Sequence, residues 1–484
     1  MMRKTKHLSP GGIASCIILS AILIRFIALG LFPLQDTSEA RYGEMVRLMV
    51  ETNDWITPYF DYDVPFWGKP PLFIWMSALS MKVFGVNEFA VRFPALLCGI
   101  LVMGLCWQLA QFQLGRIQAK LAVLILVSTA MFLVLSGTVL ADPVMLLSIT
   151  LIMTGFWIGW HSPDQREKRL WQYLFFAGCG IALLSKGPVV LVIAGLPIFF
   201  WCLPKGRLLQ FWQTFPCIIG VLLTLLVALP WYIAAELKTP GFLEYFVVGE
   251  HFSRYVDSGW DGDQYGSAHI KPLGTIWIRW IQGGAPWSVV IVFIALKRCW
   301  HRVRGAKTGV SSWEGFLWLW LLTPLLFFTF SKNLIWTYAL PVAPAMALLL
   351  TTRWETFWQQ QPLRILATAT LVPILMLGAA IAFSMDVGKP SQKTLINTIK
   401  DVQTEYSGHI VYWQKRPFSA RYYSEGKALL FQETKSLREA LNNKQQNFLI
   451  TNERAFKGLP EDIQQRFKEL KRYRNWVLWQ ESGF

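Results

Sequence analysis

The sequence predicts an α-helical polytopic membrane protein with about eleven transmembrane helices, further interfacial helices and a small C-terminal α/β domain outside the bilayer. Three observations carry that reading. The 484 residues are 54% hydrophobic and only 16% charged, whereas soluble domains carry roughly 25% charged residues. A charge in hydrocarbon costs several kcal/mol, so a lipid-facing surface must do without them. Tryptophan is abundant, with 24 residues, and indole prefers the membrane–water interface. Finally, the charges between apolar segments sort into two sets, one basic and one mixed.

Apolar runs long enough to cross as helices, about 17–25 residues each, cover 12–31, 88–111, 121–141, 143–160, 170–185, 188–203, 211–235, 276–296, 313–330, 334–350 and 363–383. Residues 71–84 are apolar but short, and are expected to lie flat in the interface. With that segment not crossing, Arg3, Lys4 and Lys6 share a face with Arg116, Lys120, Arg166, Lys168, Arg169 and Lys297. Such a basic face is cytoplasmic by the positive-inside rule. An odd number of spans then puts the N-terminus in the cytoplasm and the tail in the periplasm of a bacterial inner membrane.

The membrane unit is residues 1–384, with long outer loops at 32–87 and 236–272; residues 385–484 form the outer domain. There the apolar runs stop. Segments 409–413, 447–451 and 475–479 read as strands, and 394–402, 437–443 and 460–471 as helices. The seven cysteines lie in or beside apolar segments, which argues against a disulfide framework. The net charge of +16 forms no basic stripe on a soluble domain, so nucleic acid is not an expected partner.

The chemistry-bearing charges fall on the outer side. The first loop carries Asp36, Glu39 and Arg41, then Lys69 between stiffening prolines. Asp142 and Lys186 stand at tight turns between spans. The second loop carries Glu250, His251 and Arg254, within about one helical turn, and Lys332 and Tyr338 lie near a later outer turn. Each has a plain structural reading: Asp36 can cap a helix, Lys69 can snorkel, and a lone histidine is more often structural than a ligand. Taken together they supply an acid to take a proton and cations to stabilise an anionic leaving group. That suits sugar transfer from a lipid phosphate to a hydroxyl.

At these residues the chain resembles the polyprenyl-phosphate-sugar-dependent glycosyltransferases of the GT-C fold. Aminoarabinose lipid A transferases are the nearest likeness, and protein O-mannosyltransferases are more distant kin. The signposts are Asp36…Glu39-Ala40-Arg41-Tyr42, Asp54-Trp55-Ile56-Thr57-Pro58, Gly68-Lys69-Pro70, Phe89-Ala90-Val91-Arg92-Phe93, Asp142-Pro143, Ser185-Lys186-Gly187, Glu250-His251…Arg254 and Thr337-Tyr338. The resemblance implies inversion on the periplasmic face, with an undecaprenyl-phosphate-linked donor and an envelope glycolipid, glycan or protein as acceptor. It implies a first-loop acid as base, with Asp36 and Glu39 the alternatives. It also implies a donor phosphate held by Lys69, Arg254 and Tyr338. Arg41, Lys186 and Lys332 join these as further cations, with Asp142 and Glu250 in support. The family has Asp where Ser38 stands, and Glu where Gly68 stands. The second change leaves open whether a divalent metal binds at His251. A transporter or non-catalytic carrier of a lipid-linked sugar is the alternative, but a transporter is expected to place charges at mid-membrane, not at span ends.

Overall fold

The computed structural model describes residues 10–256, 260, 262, 264–266, 269–303, 311–352, 362–385, 391–402, 408–443 and 445–482. Arg3, Lys4 and Lys6 of the expected basic face lie outside them. The chain opens with α1 (Pro10–Leu31), then the first-loop helices α2 (Ser38–Thr52) and α3 (Leu72–Phe84). There follow α4 (Glu88–Leu114), α5 (Arg116–Val127), α6 (Ala130–Leu135), α7 (Asp142–His161), α8 (Gln165–Lys186), α9 (Pro188–Cys202), α10 (Arg207–Thr214) and α11 (Cys217–Lys238). Local chemistry sets the starts. Asn87 caps α4 by accepting from the Ala90 N–H at 2.8 Å. Prolines occupy the first turns of α7 and α9, where the missing N–H costs nothing.

Among the described residues, five helices are long and apolar enough to cross a membrane, or up to seven if each bent pair counts as one span. The eleven expected runs are all largely helical, but several are shorter or broken. Residues 121–141 divide between α5 and α6, because Ser128 and Thr129 turn their hydroxyls back onto the carbonyls of Leu124 and Ile125. The run at 276–296 bends by 118° between helices Thr275–Gly283 and Trp287–Trp300, where Gly284 and Pro286 interrupt the ladder.

Helix α3 has 13 residues, a length of about 20 Å against a hydrocarbon core of about 30 Å. Both its flanks lie in the same layer as the tail. Lys69 before it pairs with Glu250 of the second loop, and Glu88 after it pairs with Lys393 of the tail. The two loops and the tail therefore share one end of the bundle.

In the tail, β3 (Ile410–Trp413), β4 (Ala428–Phe431), β5 (Phe448–Thr451), β6 (Phe467–Tyr473) and β7 (Trp476–Glu481) form a sheet in the order β4-β3-β5-β7-β6. The β3, β4 and β5 ladders are parallel, and β7 runs antiparallel to β5 and β6. The strands β1 (Tyr59–Asp61) and β2 (Val64–Pro65) make a separate hairpin in the first loop. The expected helix at 460–471 is corrected. Only Glu461–Gln464 is helical, and β6 follows as an edge strand. Its Lys, Glu and Arg residues read as a helix face, but they are the charges that keep a sheet edge soluble.

Candidate functional site

The site is a cleft at the shared end of the bundle, with about 710 Å³ of empty space. Lys69, Lys186, Glu250, His251, Arg254 and Tyr338 all line it, together with Ser331 and Asn333. Lys69 reaches it from the first loop and donates to Glu250 Oε2 at 3.0 Å. Arg254 donates to both oxygens of Glu250 at 3.0 Å, so one carboxylate holds two cations. Those cations outweigh the effect of burial, which alone would raise the Glu250 carboxyl, and they hold it below the usual range. Lys69 is raised in turn: burial opposes its charge, but Glu250 prevails. Lys186, at the end of α8, donates to Asp142 Oδ1 at 2.8 Å and lies 5.3 Å from the Tyr338 ring centroid. Among the described residues the cleft and its wall thus combine three cations with two carboxylates.

The turn between α8 and α9 needs its glycine. Gly187 has φ +84°, and a Cβ there would lie 2.5 Å from Phe246 and 3.0 Å from His251 Nε2. That close approach lets His251 Nε2 sit 3.0 Å from the Lys186 carbonyl, while Nδ1 lies 2.7 Å from the Phe246 carbonyl. Burial and the neighbouring Lys69 hold the imidazole below its ordinary range, against the pull of the two carbonyls. Both contacts are to carbonyl acceptors, and a neutral ring, with one N–H, satisfies only one of them.

This donor set does not fit a divalent metal. Both ring nitrogens of His251 face carbonyls, and both Glu250 oxygens are taken by cations. Among the described residues no group of three His, Cys, Asp or Glu side chains is close enough to hold one.

Neither acid expected as base lines the cleft. Glu39 is fully engaged: Arg92 donates Nε to Oε1 at 2.8 Å and Nη2 to Oε2 at 2.7 Å. Burial would raise the Glu39 carboxyl, but Arg92 outweighs it and holds it below the usual range. Asp36 accepts from the Ser419 N–H at 3.0 Å and from the Ser419 hydroxyl. Burial pushes its carboxyl up, with those Ser419 bonds working against the shift. These two acids hold the first loop in place. Arg41 is also spoken for, donating to the Tyr265 carbonyl at 2.6 Å, and Lys332 is exposed outside the cleft.

The tail grips the first loop chiefly through one short helix, Phe418–Tyr423, with Arg416 just before it donating to Asp61 at 2.9 Å. Ser419 holds Asp36, Arg421 pairs with Asp61 at 2.8 Å, and Tyr423 accepts from the Leu34 N–H at 2.7 Å and donates to Glu88 at 2.9 Å. Sequence reasoning missed this helix. Six residues are too few to show a period.

Comparison with known proteins gives the architecture a context. The family described as dolichyl-phosphate-mannose-protein mannosyltransferase matches residues 12–246. The undecaprenyl phosphate-alpha-4-amino-4-deoxy-L-arabinose arabinosyl transferase of Enterobacter sp. (strain 638) is 28% identical over 335 residues, 68% of this chain and 58% of that protein. The transferase of the same name from Aeromonas hydrophila is 30% identical over 322 residues, 66% of this chain and 55% of its own length. The matched region thus spans just over half the length of these curated relatives. Among solved structures, ArnT from Cupriavidus metallidurans bound to undecaprenyl phosphate superposes with a TM-score of 0.79 at 18% identity, covering 96% of this chain and 97% of that one. The archaeal oligosaccharyltransferase AglB from Archaeoglobus fulgidus gives 0.54 at 12% identity, over 91% of this chain and 69% of the other. The fold likeness runs well past the sequence likeness and takes in the tail.

Proposed function

On the premise that this chain carries the GT-C glycosyltransferase fold of a membrane protein, we propose that it is an integral membrane glycosyltransferase. It moves a sugar from an undecaprenyl-phosphate-linked donor to a cell-envelope glycolipid, with inversion, on the periplasmic face. The observation that carries this reading is the charge balance of the cleft and its wall among the described residues: Lys69, Lys186 and Arg254 against Glu250 and, behind Lys186, Asp142, one cation in excess. An arriving phosphate completes that balance. The likeness to transferases whose names specify an undecaprenyl phosphate sugar supports the donor.

In this account the donor phosphate lies against Lys69 and Arg254, with the Tyr338 hydroxyl as a further donor of a hydrogen bond. The acceptor oxygen attacks the anomeric carbon as the bond from that carbon to the phosphate oxygen breaks. The electron pair leaves with the phosphate, where the preplaced cations stabilise it, and the acceptor proton passes to a carboxylate. Asp142 is the acid we assign to that role: it stands just behind the lining, against Lys186, and not in the lining itself. Its Oδ1 is held by Lys186, and its Oδ2 has no hydrogen-bond partner among the described residues. Asp36 and Glu39 are positioning residues of the first loop.

Eleven crossings, an inside N-terminus and a periplasmic tail complete the proposal. Transfer by the purified chain in nanodiscs, with an undecaprenyl-phosphate sugar and lipid A, tests it by mass spectrometry. Asp142→Asn is expected to lower kcat by about 10²–10⁴ with donor binding retained. Donor binding without any transfer by the wild-type chain, across lipid A, glycan and protein acceptors, would instead favour a carrier.

A further inference from the structure

A second cavity, with about 880 Å³ of empty space, lies at the other end of the bundle. Helix α4 leaves the tail-facing layer at Glu88 and runs 27 residues, about 40 Å, before the turn into α5. Helix α1 ends beside Arg92 in that same layer and begins 22 residues away, about 33 Å distant. The cavity sits between these far ends. Arg116 and Lys120 of α5 form one lip. Ala14 of α1, Leu121 and Leu124 of α5 and Ile365 of the Pro362–Ser384 helix form apolar wall. Among the described residues no acidic side chain lines it. Lys120 Nζ donates to the Gly11 carbonyl at 3.2 Å, and Arg116 is exposed with no hydrogen bond or ion pair to any described residue.

We propose that this cavity binds one anionic phospholipid from the leaflet opposite the cleft. Two cations at the interface, with no acid beside them among the described residues, select a headgroup of net negative charge; basic pockets between membrane helices on the cytoplasmic side are used in this way. The apolar wall below the lip takes an acyl chain, which a soluble anion would leave unused. A zwitterionic headgroup brings its own cation toward Arg116 and Lys120 and gains less. The site shares no residue with the cleft, so it stands whether or not the proposed transfer is correct.

The test is native mass spectrometry of the full-length chain, delipidated in detergent and titrated with dioleoyl phosphatidylglycerol or dioleoyl phosphatidylcholine. The wild-type chain is expected to retain one phosphatidylglycerol in preference to phosphatidylcholine. R116Q/K120Q is expected to lower that retention on the order of tenfold, from the loss of two surface cations. R166Q/R169Q, which removes two exposed cations that do not line the cavity, leaves it unchanged. Ala14→Phe, which fills the wall and spares the charge, also lowers it. The proposal is overturned if R116Q/K120Q retains phosphatidylglycerol as the wild type does, if both double variants lose it equally, or if phosphatidylcholine binds as well. It is overturned too if equimolar undecaprenyl phosphate displaces the phospholipid, since the occupant would then be the carrier lipid.

Discussion

Glu39 holds structure in this account, and that can be separated cleanly from a role as base. Arg92 is fully buried and makes two bonds to Glu39. It also donates to the carbonyls of Leu29 at 2.8 Å, Phe32 at 2.7 Å and Pro33 at 3.1 Å. It therefore closes the end of α1 and ties the first loop down in one contact set. Removing one partner of such a buried pair costs about 3–5 kcal/mol, because the other charge is left uncompensated. Glu39→Gln and Arg92→Met are each expected to lower stability by that order, and the double variant by less than their sum, with a coupling of about 1–3 kcal/mol. The assays are unfolding followed by tryptophan fluorescence in detergent, and transfer per folded molecule. A structural Glu39 predicts kcat of the folded Glu39→Gln fraction within about tenfold of wild type, whereas loss of a general base costs about 10²–10⁴. The pH dependence has a fixed sign. The folded carboxyl is held below its ordinary 4.5, so its stabilisation is complete above that value and is lost as pH falls through the lower folded value. The stability gap between wild type and Glu39→Gln should be flat from neutral pH down to about 4.5 and close below it. An unchanged melting temperature with kcat down more than a hundredfold would refute this reasoning and restore Glu39 as base.

Three further outcomes follow from the site. Lys69→Met removes a charge-assisted contact worth about 1.5–3 kcal/mol and should raise the donor KM by about ten- to a hundredfold, with Lys69→Arg recovering part of it; an unchanged KM removes Lys69 from the donor site. Ser419→Ala loosens the grip on Asp36 and should speed hydrogen exchange across residues 34–52, while unchanged exchange would mean that the tail does not hold the loop. Prolonged chelation should leave transfer intact, as the donor set at His251 implies; a loss restored by a divalent ion would contradict it.

Much of the cleft was legible in the sequence because its charges interrupt apolar runs. Lys186 and Asp142 stand out at turns between helices, and Glu250, His251 and Arg254 fall on one short segment. What could not be read was pairing at a distance. Glu39 and Arg92 are 53 residues apart and Asp36 and Ser419 are 383 apart, so two acids that look available in the sequence are engaged in the fold. Lys332 shows the opposite limit. Its neighbours Ser331 and Asn333 face the cleft while its own side chain faces away, a one-residue distinction that no periodicity in so short a turn can make. In the tail, β3 and β5 were readable as apolar runs, whereas β6 was hidden by the charges of an edge strand.

The most direct measurement is a cryo-electron microscopy structure of the chain in nanodiscs with undecaprenyl phosphate. The account predicts phosphate density between Lys69, Arg254 and Tyr338, with Glu250 drawn off at least one of its two cations. Phosphate held elsewhere on the molecule, with the Lys69–Glu250–Arg254 cluster unchanged, would contradict it.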